Sequence, residues 1–358
     1  MFDVKAHLKS LVEAHAPSGH EAPLRAILRE AWGGMVDEMN TDGLGSLIGI
    51  KRATKPLATP RKIMLAAHMD EIGLMVREVV DGFIYVHRIS GVDNRVMLSQ
   101  PVLVHGRRPL SGTIAAMPPH LLAAADRLRY PTIDELIVDV GLPPEEVAAL
   151  VRIGDLITLD VPMIDLLGSR VAGKAMDDRA CVAAVTACLN ELQTMQHQWD
   201  VYAAATVQEE TGLLGAATAA YQIDPDIAIA LDVTFATQPG IDADTGKELG
   251  GGPTISFGPN FHPKLAERLK EVAKRNEYKF QEEIIPGASG TDAWAIQIAR
   301  EGIPTALLGI PLRNMHSPVE TVDLRDITRA GRWMAKFIAE LDGEFLSAIE
   351  YKGAEAEA

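Results

Sequence analysis

Short apolar runs alternate with stretches of helical spacing along much of the chain. The runs are typical of buried strands and predict them at 62–67, 201–207, 227–231 and 304–308. The helical spacing predicts helices at 4–14, 178–194, 263–275 and 325–341. Because strands that alternate with helices form sheets covered on both faces, we expect an α/β fold, namely an α/β/α sandwich with a mixed, largely parallel sheet.

The pattern changes between residues 72 and 165, where short β-like runs are interrupted by Gly, Pro and charged residues. This texture predicts a small β-rich unit at 72–165 that is inserted into the α/β domain. Residues 1–71 and 166–358 would then form the main domain together.

Two short patterns predict local structure. The segment from Ser18 to Glu21 has the spacing of a capping box and predicts the start of a second helix there. Cys181 and Cys188 lie on one predicted helix, and at about 1.5 Å per residue they are roughly 10 Å apart, too far for a disulfide. We expect both cysteines to be small core residues of a protein in a reducing compartment.

Charge and composition exclude several partners. The 358 residues include 34 Lys and Arg against 49 Asp and Glu, a formal net charge of −15. Such a surface repels phosphate backbones and anionic lipids, so we expect no nucleic acid and no membrane as partner. No stretch reaches the roughly 18 uninterrupted apolar residues of a membrane span, and the first residues lack the apolar segment of a secretion signal. These features predict a cytoplasmic protein.

Acidic and histidine residues follow the ends of several predicted strands. In α/β sheets the carboxyl ends of parallel strands meet at one edge, where ligands bind. The acidic pair Asp177 and Asp178, at the start of the predicted helix 178–194, is within reach of the same edge. The set consists of His68, Asp70, Asp177, Asp178, Glu209, Glu210, Asp232 and His316.

So many carboxylates in one cleft repel one another unless cations neutralise them, and the set therefore predicts divalent metal. Each motif alone has a plainer interpretation as a helix cap, a turn or a solvated surface, and only their convergence favours a site. Carboxylate and imidazole ligands without cysteine suit zinc, cobalt or manganese. The set holds enough ligands for two ions about 3.5 to 4 Å apart, as in dinuclear hydrolases, and one further carboxylate would serve as a general base.

Eight motifs in the chain resemble those of one family. They are APSGHE at 16–21, AHMDEIG at 67–73, GKAMDDR at 173–179, VQEETGLLGA at 207–216, ALDVT at 230–234, GGGP at 250–253, GTDA at 290–293 and MHSPVE at 315–320. In this order they resemble the metallo-aminopeptidases that form tetrahedral (TET) particles, also called glutamyl or deblocking aminopeptidases. The resemblance implies a zinc-peptidase-like fold and the removal of amino-terminal residues from free peptides by a metal-activated water.

The resemblance also implies a role for each residue of the set. His68 and Asp232 would bind one metal ion, Glu210 and His316 the other, Asp177 would bridge the two, Glu209 would be the general base, and Asp70 would orient His68. Zinc or cobalt is the expected metal, with manganese as a further candidate. A cis peptide bond between Asp177 and Asp178 is also implied.

The family further implies self-association. The inserted domain, with a segment such as MPPHLL at 117–122, corresponds to the family's dimerisation domain, and its dimers assemble into a dodecamer with interior active sites. The sequence itself leaves open whether this acidic chain stops at the dimer.

The substrate pocket is less defined by the sequence. Gly251, Gly252 and residues 285–293, which include Asp292, flank the metal motifs and are candidates to line it; an ordinary turn and helix start are the alternative. Arg313 would either bind substrate carbonyls or pair with a carboxylate. The preferred amino-terminal residue is left open.

Three other functions agree less well with the sequence. A dinuclear carboxypeptidase or deacylase would need a cationic group for a substrate carboxylate, and no dedicated motif for one stands out. Paired carboxylates also serve glycoside hydrolases, but two histidines are superfluous for that chemistry and an aromatic fraction of 5% is low for sugar stacking. A non-catalytic peptide-binding particle would be expected to have lost metal ligands, and all of them are present.

Overall fold

The computed structural model describes residues 2–351, so Met1 and residues 352–358 of the predicted main domain lie outside the described part. The helices are α1 (Val4–Val12), α2 (Ala22–Trp32), α3 (Asn94–Met97), α4 (Pro144–Leu150), α5 (Met176–Glu191), α6 (Leu214–Ile223), α7 (Pro263–Arg275), α8 (Asp292–Gln297), α9 (Leu324–Ala339) and α10 (Phe345–Ile349). The strands are β1 (Glu38–Thr41), β2 (Leu47–Lys51), β3 (Lys62–His68), β4 (Gly73–Val80), β5 (Phe83–Ile89), β6 (Pro101–His105), β7 (Pro109–Ala115), β8 (Ile137–Asp139), β9 (Leu156–Leu159), β10 (Ile164–Asp165), β11 (Arg170–Gly173), β12 (Asp200–Thr206), β13 (Ile227–Phe235), β14 (Thr254–Phe257), β15 (Gln281–Ile284), β16 (Thr305–Leu312) and β17 (Glu320–Asp323).

A mixed eight-stranded sheet organises the main part of the chain, in the order β1-β2-β12-β3-β13-β16-β14-β15. The central strands β12, β3, β13 and β16 are parallel, whereas β2 and β14 run antiparallel to their central neighbours. Strand β13 is almost entirely apolar because both of its faces are buried. The predicted mixed, largely parallel sheet is therefore confirmed.

Helices cover both faces of this sheet. The larger apolar core lies on one face beneath α1, α2, α5, α7 and α9, and a smaller core lies on the other beneath α6 and α8. Every residue of α5 from Met176 to Leu189 is buried, since this helix lies between the sheet and the outer helices α1 and α9. The α/β/α sandwich is confirmed.

Between β3 and β11 the chain forms a closed antiparallel barrel in the order β4-β5-β8-β7-β6-β9. The barrel has an apolar core of its own, separate from the two cores of the main sheet. Closure leaves none of these strands with an unpaired edge. The small β-rich part of the predicted fold class is thus confirmed, while the boundaries 72–165 stay a prediction.

One local prediction was wrong. Helix α2 has Glu21 as its N-cap residue and no capping hydrogen bond from a side chain, so no capping box forms. The Ser18 hydroxyl instead donates to Asp70, and the Glu21 carboxylate accepts the backbone N–H of Gly19. Both polar groups are buried near the edge of the sheet, and the partners available there displace the local pairing.

The prediction that both cysteines are small core residues was right. Cys181 and Cys188 are free, buried members of the core of the main sheet. Within residues 2–351, no helix is both long enough and apolar enough to cross a lipid bilayer.

Candidate metal centre

The sheet brings the predicted chemistry to one edge. Strand β3 ends at His68, the loop after β12 carries Glu209 and Glu210, and β13 carries Asp232. These strands are parallel, so their carboxyl ends lie side by side. Asp177 reaches the same edge from the first turn of α5, where the peptide bond to Asp178 is cis, as the resemblance implied.

Asp177 lies between the two histidines. Its Oδ1 atom is 3.1 Å from Nε2 of His68, and its Oδ2 atom is 3.3 Å from Nε2 of His316. The imidazole of each histidine also faces a second carboxylate, Glu209 at 3.7 Å from His68 and Glu210 at 3.6 Å from His316. Asp177 thus presents one oxygen to each histidine. This arrangement would suit a carboxylate that lies between two metal ions.

The ligand atoms form three overlapping groups. In each group one atom from every residue lies within 4.8 Å of the others: His68 with Glu209 and Asp232, His68 with Asp177 and Glu210, and Asp177 with Asp178 and Asp232. Both carboxylate oxygens of Asp178 are buried without a hydrogen-bond partner among the described residues. A buried carboxylate without partners is costly, and a cation at this cluster would offset that cost. The donor set therefore fits divalent metal.

The pKa values of the cluster also indicate that it fits divalent metal. Burial, with the charge of Asp232 added, raises the pKa of Glu209 to about 10. Burial likewise raises the pKa of Asp232 well above its ordinary value. The hydrogen bond to Asp177 raises the pKa of His316 to about 9. Carboxylates and neutral imidazoles can coexist here only with added positive charge, which divalent ions supply.

Asp70 supports the cluster from behind. It is fully buried, and its Oδ1 atom lies 3.3 Å from Nδ1 of His68. Its two oxygens also accept the backbone N–H groups of Glu209 at 3.1 Å and of Glu210 at 3.2 Å. The same carboxylate therefore faces His68 and holds the Glu209–Glu210 segment by two hydrogen bonds, while its role in orienting His68 stays a prediction.

Three neighbours of the centre, Glu320, Ser90 and Gly91, were not predicted from the sequence. Glu320 accepts the backbone N–H groups of Asp177 at 3.1 Å and of His316 at 2.7 Å. From the barrel, the Ser90 hydroxyl donates to Glu210 at 2.7 Å, and Nδ1 of His316 lies 3.1 Å from the Gly91 carbonyl oxygen. Glu320 is the last residue of MHSPVE and could have been considered with His316. Nothing in the local sequence marks residues 90–91.

A cavity of about 610 Å³ opens beside the centre. From the predicted pocket segment, residues 285–286 and 289–291 line it. Asp292 lies behind it, fully buried and bonded to the Thr206 hydroxyl, and burial raises its pKa to about 6.

The other predicted substrate residues are not among the cavity lining. The backbone N–H of Gly252 donates to Asp326 at 2.9 Å, and that of Gly251 to the Glu248 carbonyl at 3.0 Å. Nε of Arg313 donates to the Thr237 carbonyl at 2.8 Å. A role for these residues in substrate binding stays a prediction.

A helix-covered mixed sheet with a histidine and carboxylate cluster at its strand ends defines a metallohydrolase. The family model described as M42 glutamyl aminopeptidase matches residues 45–332. The chain belongs to this family of metal-dependent aminopeptidases. The resemblance and the aminopeptidase activity predicted from the sequence are thereby confirmed.

Individual relatives cover nearly the whole chain. A lysyl aminopeptidase of Pyrococcus furiosus is 38% identical over 340 residues, 93% of this chain and 96% of that protein. The crystal structure of a TET aminopeptidase from a marine sediment archaeon has a TM-score of 0.91 at 32% identity and covers 97% of this chain and 99% of its own. The TET1 peptidase of Pyrococcus horikoshii has a TM-score of 0.83 at 29% identity, covering 95% of this chain and 100% of its own.

Proposed function

We propose that this chain removes amino-terminal residues from free peptides with two divalent ions, zinc or cobalt in preference to manganese. His68 and Asp232 would hold one ion, and Glu210 and His316 the other, with Asp177 between them. The observation that carries this proposal is the position of Asp177, one oxygen toward each histidine at 3.1 and 3.3 Å. Bound ions would supply the Lewis acidity that activates water and polarises the scissile carbonyl.

Glu209 is the proposed general base. Its carboxylate adjoins the cluster without being needed as a bridging ligand, with one oxygen 3.7 Å from His68. It would accept the proton of the attacking water and return it to the leaving amine. Asp70 would hold both His68 and the Glu209 backbone in place during this transfer.

The charge of the cavity favours an amino-terminal over a carboxyl-terminal substrate. None of the described residues that line the cavity is Lys or Arg, so nothing there offers a partner for the carboxylate of a peptide terminus. The acidic residues of the lining instead attract an α-ammonium group. This argues against the carboxypeptidase alternative, which needs a cationic residue.

The proposal is tested by stripping the protein of metal and reloading it separately with zinc, cobalt and manganese. Free peptides and their N-acetylated counterparts are then followed together by mass spectrometry. We expect stepwise loss of residues from free amino termini only, and only with metal. Shortening from the carboxyl end, or attack on the acetyl bond, would contradict the substrate assignment and leave the metal centre standing.

We further propose that the chain self-associates through the barrel, as a dimer that can build a dodecamer. The Pyrococcus horikoshii TET1 peptidase can assemble into a tetrahedron or a large octahedral shell. In this chain several large apolar side chains are exposed in the loop after β7, namely Met117, Leu121, Leu128 and Tyr130. An exposed apolar group of this kind is typical of an interface.

Light scattering coupled to size exclusion tests the assembly. Leu128→Glu places a charge on the proposed interface, where the native side chain is 97% exposed, and is expected to lower the mass of the particle. Leu167→Glu is the matched control, because Leu167 is 96% exposed but lies outside the barrel. An unchanged mass for Leu128→Glu, or an equal effect of both variants, would contradict a barrel-mediated interface.

We also infer that the protein works in a reducing, cytoplasmic environment. Both cysteines are free and buried, and neither has a disulfide partner among the described residues. Thiols of this kind need no oxidising compartment.

A further inference from the structure

Glu283 is the charged residue of the cavity that the metal centre leaves unexplained. Apart from the proposed ligands and base, the described residues that line the cavity include no other charged side chain. Glu283 belongs to β15, the edge strand of the sheet, three strands away from β13 with Asp232. Its side chain nevertheless reaches the cavity.

The side chain lies across the face of the sheet. Its Oε1 atom accepts a hydrogen bond from the hydroxyl of Thr234 on β13. Its Oε2 atom accepts hydrogen bonds from the hydroxyls of Thr254 and Ser256 on β14, both at 3.1 Å. Gly309 on β16 leaves the room for this crossing. A Cβ atom at 309 would lie 2.4 Å from the Thr254 hydroxyl oxygen and 3.1 Å from Cγ2 of Thr234.

The charge of Glu283 is not neutralised by the protein. No Lys, Arg or His among residues 2–351 lies within salt-bridge distance of its carboxylate, although the neighbouring Glu282 pairs with Lys270 at 2.9 Å. An ionised carboxylate offers about four acceptor sites, and the three hydroxyls occupy three of them. A fixed anion with an acceptor site to spare therefore faces the cavity.

The spacing between the metal centre and Glu283 suits a long side chain on the substrate's first residue. Thr234 and Asp232 are two residues apart on β13, so their side chains share one face and are separated by about 7 Å. Lysine carries its ammonium on a four-carbon stem of comparable reach. Phe235, Ile285 and Pro286 line the same cavity and offer apolar surface to such a stem.

We propose that Glu283 is the specificity residue of the cavity and selects peptides whose amino-terminal side chain is cationic, lysine above all. The inference rests on the proposed function, since it requires the peptide amino terminus at the metal centre. A lysine ammonium would form a charge-assisted hydrogen bond to Glu283 in a partly buried site. An acidic amino-terminal residue would meet a like charge and be rejected.

Three peptides of one length separate the possibilities, Lys-Ala-Ala, Glu-Ala-Ala and Nle-Ala-Ala, where Nle is norleucine, a straight chain without the amine. We expect the metal-loaded wild type to show kcat/KM at least tenfold higher for the Lys peptide than for the Nle peptide, and lowest for the Glu peptide. Glu283→Gln should lower the Lys-to-Nle ratio at least tenfold. Glu282→Gln, one residue away and exposed, should leave that ratio as in the wild type.

Two results would overturn the inference while the proposed function stands. One is a wild-type preference for the Nle or Glu peptide, and the other is a Glu283→Gln variant that loses activity on all peptides in the same proportion. Should Glu283→Gln fail to fold, competition in the wild type still decides, because L-lysine must inhibit more strongly than L-norleucine. If no free peptide is cleaved with any metal, the proposed function itself falls, and the inference with it.

Discussion

At the scale of single residues, Asp70 contacts several parts of the proposed centre at once. It is 0% exposed and pairs with no Lys or Arg among residues 2–351, yet it faces Nδ1 of His68 and accepts two backbone N–H groups. A hydrogen on Nδ1 that points at Asp70 leaves Nε2 of His68 free to act as a ligand. A carboxylate in this position favours the tautomer of His68 with its hydrogen on Nδ1, and it holds the backbone of Glu209 by a hydrogen bond.

Replacing Asp70 by Asn should weaken metal binding by about 10- to 100-fold. The NH2 group of the amide would replace one of the two acceptor oxygens, so either the donors at Oδ1 (Glu209 N–H, beside His68) or those at Oδ2 (Ser18 hydroxyl and Glu210 N–H) would lose their acceptor. Competition with a chelator gives the dissociation constants. Ser18→Ala removes only one donor to Asp70 and should have a smaller effect; equal affinity of Asp70→Asn and wild type would refute the role of Asp70.

The variants Glu209→Gln and Glu210→Gln should distinguish the proposed general base, Glu209, from the proposed metal ligand, Glu210. Glu209→Gln is expected to retain the metal of the wild type while kcat falls about 10²- to 10⁴-fold, the usual contribution of a general base. Glu210→Gln is expected to lose metal, because Glu210 is a proposed ligand. Elemental analysis and steady-state kinetics on the same samples check both. Near-normal turnover of Glu209→Gln would exclude it as the base.

At the scale of elements, the close packing of α5 and α9 holds the metal edge in register. Helix α5 carries Asp177 in its first turn, and α9 packs along its outer side. Gly331 of α9 allows the close approach: a Cβ atom there would lie 2.7 Å from Cβ of Ala187 and 2.9 Å from the Ala184 carbonyl oxygen. Real Cβ atoms do not come this near to such neighbours, so the helices would have to separate.

Gly331→Ala should therefore destabilise the protein by up to about 2 kcal/mol, the difference between the cost of overpacking and the gain in helix propensity. Alanine normally gains about 1 kcal/mol over glycine inside a helix. Overpacking of a rigid interface typically costs about 1 to 3 kcal/mol, and here it acts on backbone atoms that cannot move aside. Denaturant unfolding measures the difference. Gly34→Ala, with no heavy atom within 4 Å of the new Cβ, is the control and should be near neutral; a Gly331→Ala variant as stable as the wild type would contradict the packing argument.

At the scale of the whole molecule, buried polar groups join the barrel to the main sheet. Nδ1 of His15, which follows α1, bonds the hydroxyl of Thr158 on barrel strand β9 at 2.7 Å. Next to it Glu71 pairs with Lys174 at 2.6 Å and with Arg179 at 3.1 Å. The hydrogen bond of His15 therefore connects the two units beside buried ion pairs of the main domain, and it responds to pH.

Acid should destabilise the protein between pH 6.5 and 4. Burial lowers the pKa of His7 and of His15 from 6.5 to about 4, with Lys174 adding to the effect at His15. In this window the unfolded chain binds a proton at each histidine and the folded chain does not, so stability falls as pH falls. After allowance for partial exposure, we expect a loss of about 2 kcal/mol from the two histidines together.

Unfolding curves at pH 7 and pH 4.5 test this prediction. His7→Gln keeps a polar partner for the hydroxyl of Thr186, which lies 3.1 Å from Nε2 of His7, and should show a smaller loss of stability on acidification than the wild type. His120→Gln changes an exposed histidine of the barrel and serves as control. An identical pH dependence of His7→Gln and the wild type would rule out the contribution of His7.

The site residues at strand ends could be predicted from the sequence. The carboxyl ends of parallel strands share one edge of the sheet, regardless of the conformation of the loops that follow. His68, Glu209 and Asp232 needed only the positions of three apolar runs. Glu283 and Ser90 could not be found in this way, because an edge strand and the barrel bring them to the cavity through tertiary packing. Membership in a family motif was also a poor guide, since Gly252 belongs to the motif GGGP but its backbone N–H donates to Asp326.

The contact of the barrel with the metal edge gives the insert a second task. Ser90 and Gly91 must turn the chain after β5, and they must also hold Glu210 and His316. A side chain at position 91 would place its Cβ 2.5 Å from Nδ1 of His316. The barrel therefore cannot be exchanged freely: a foreign insert would have to reproduce this two-residue contact with Glu210 and His316 before the hydrolase could work.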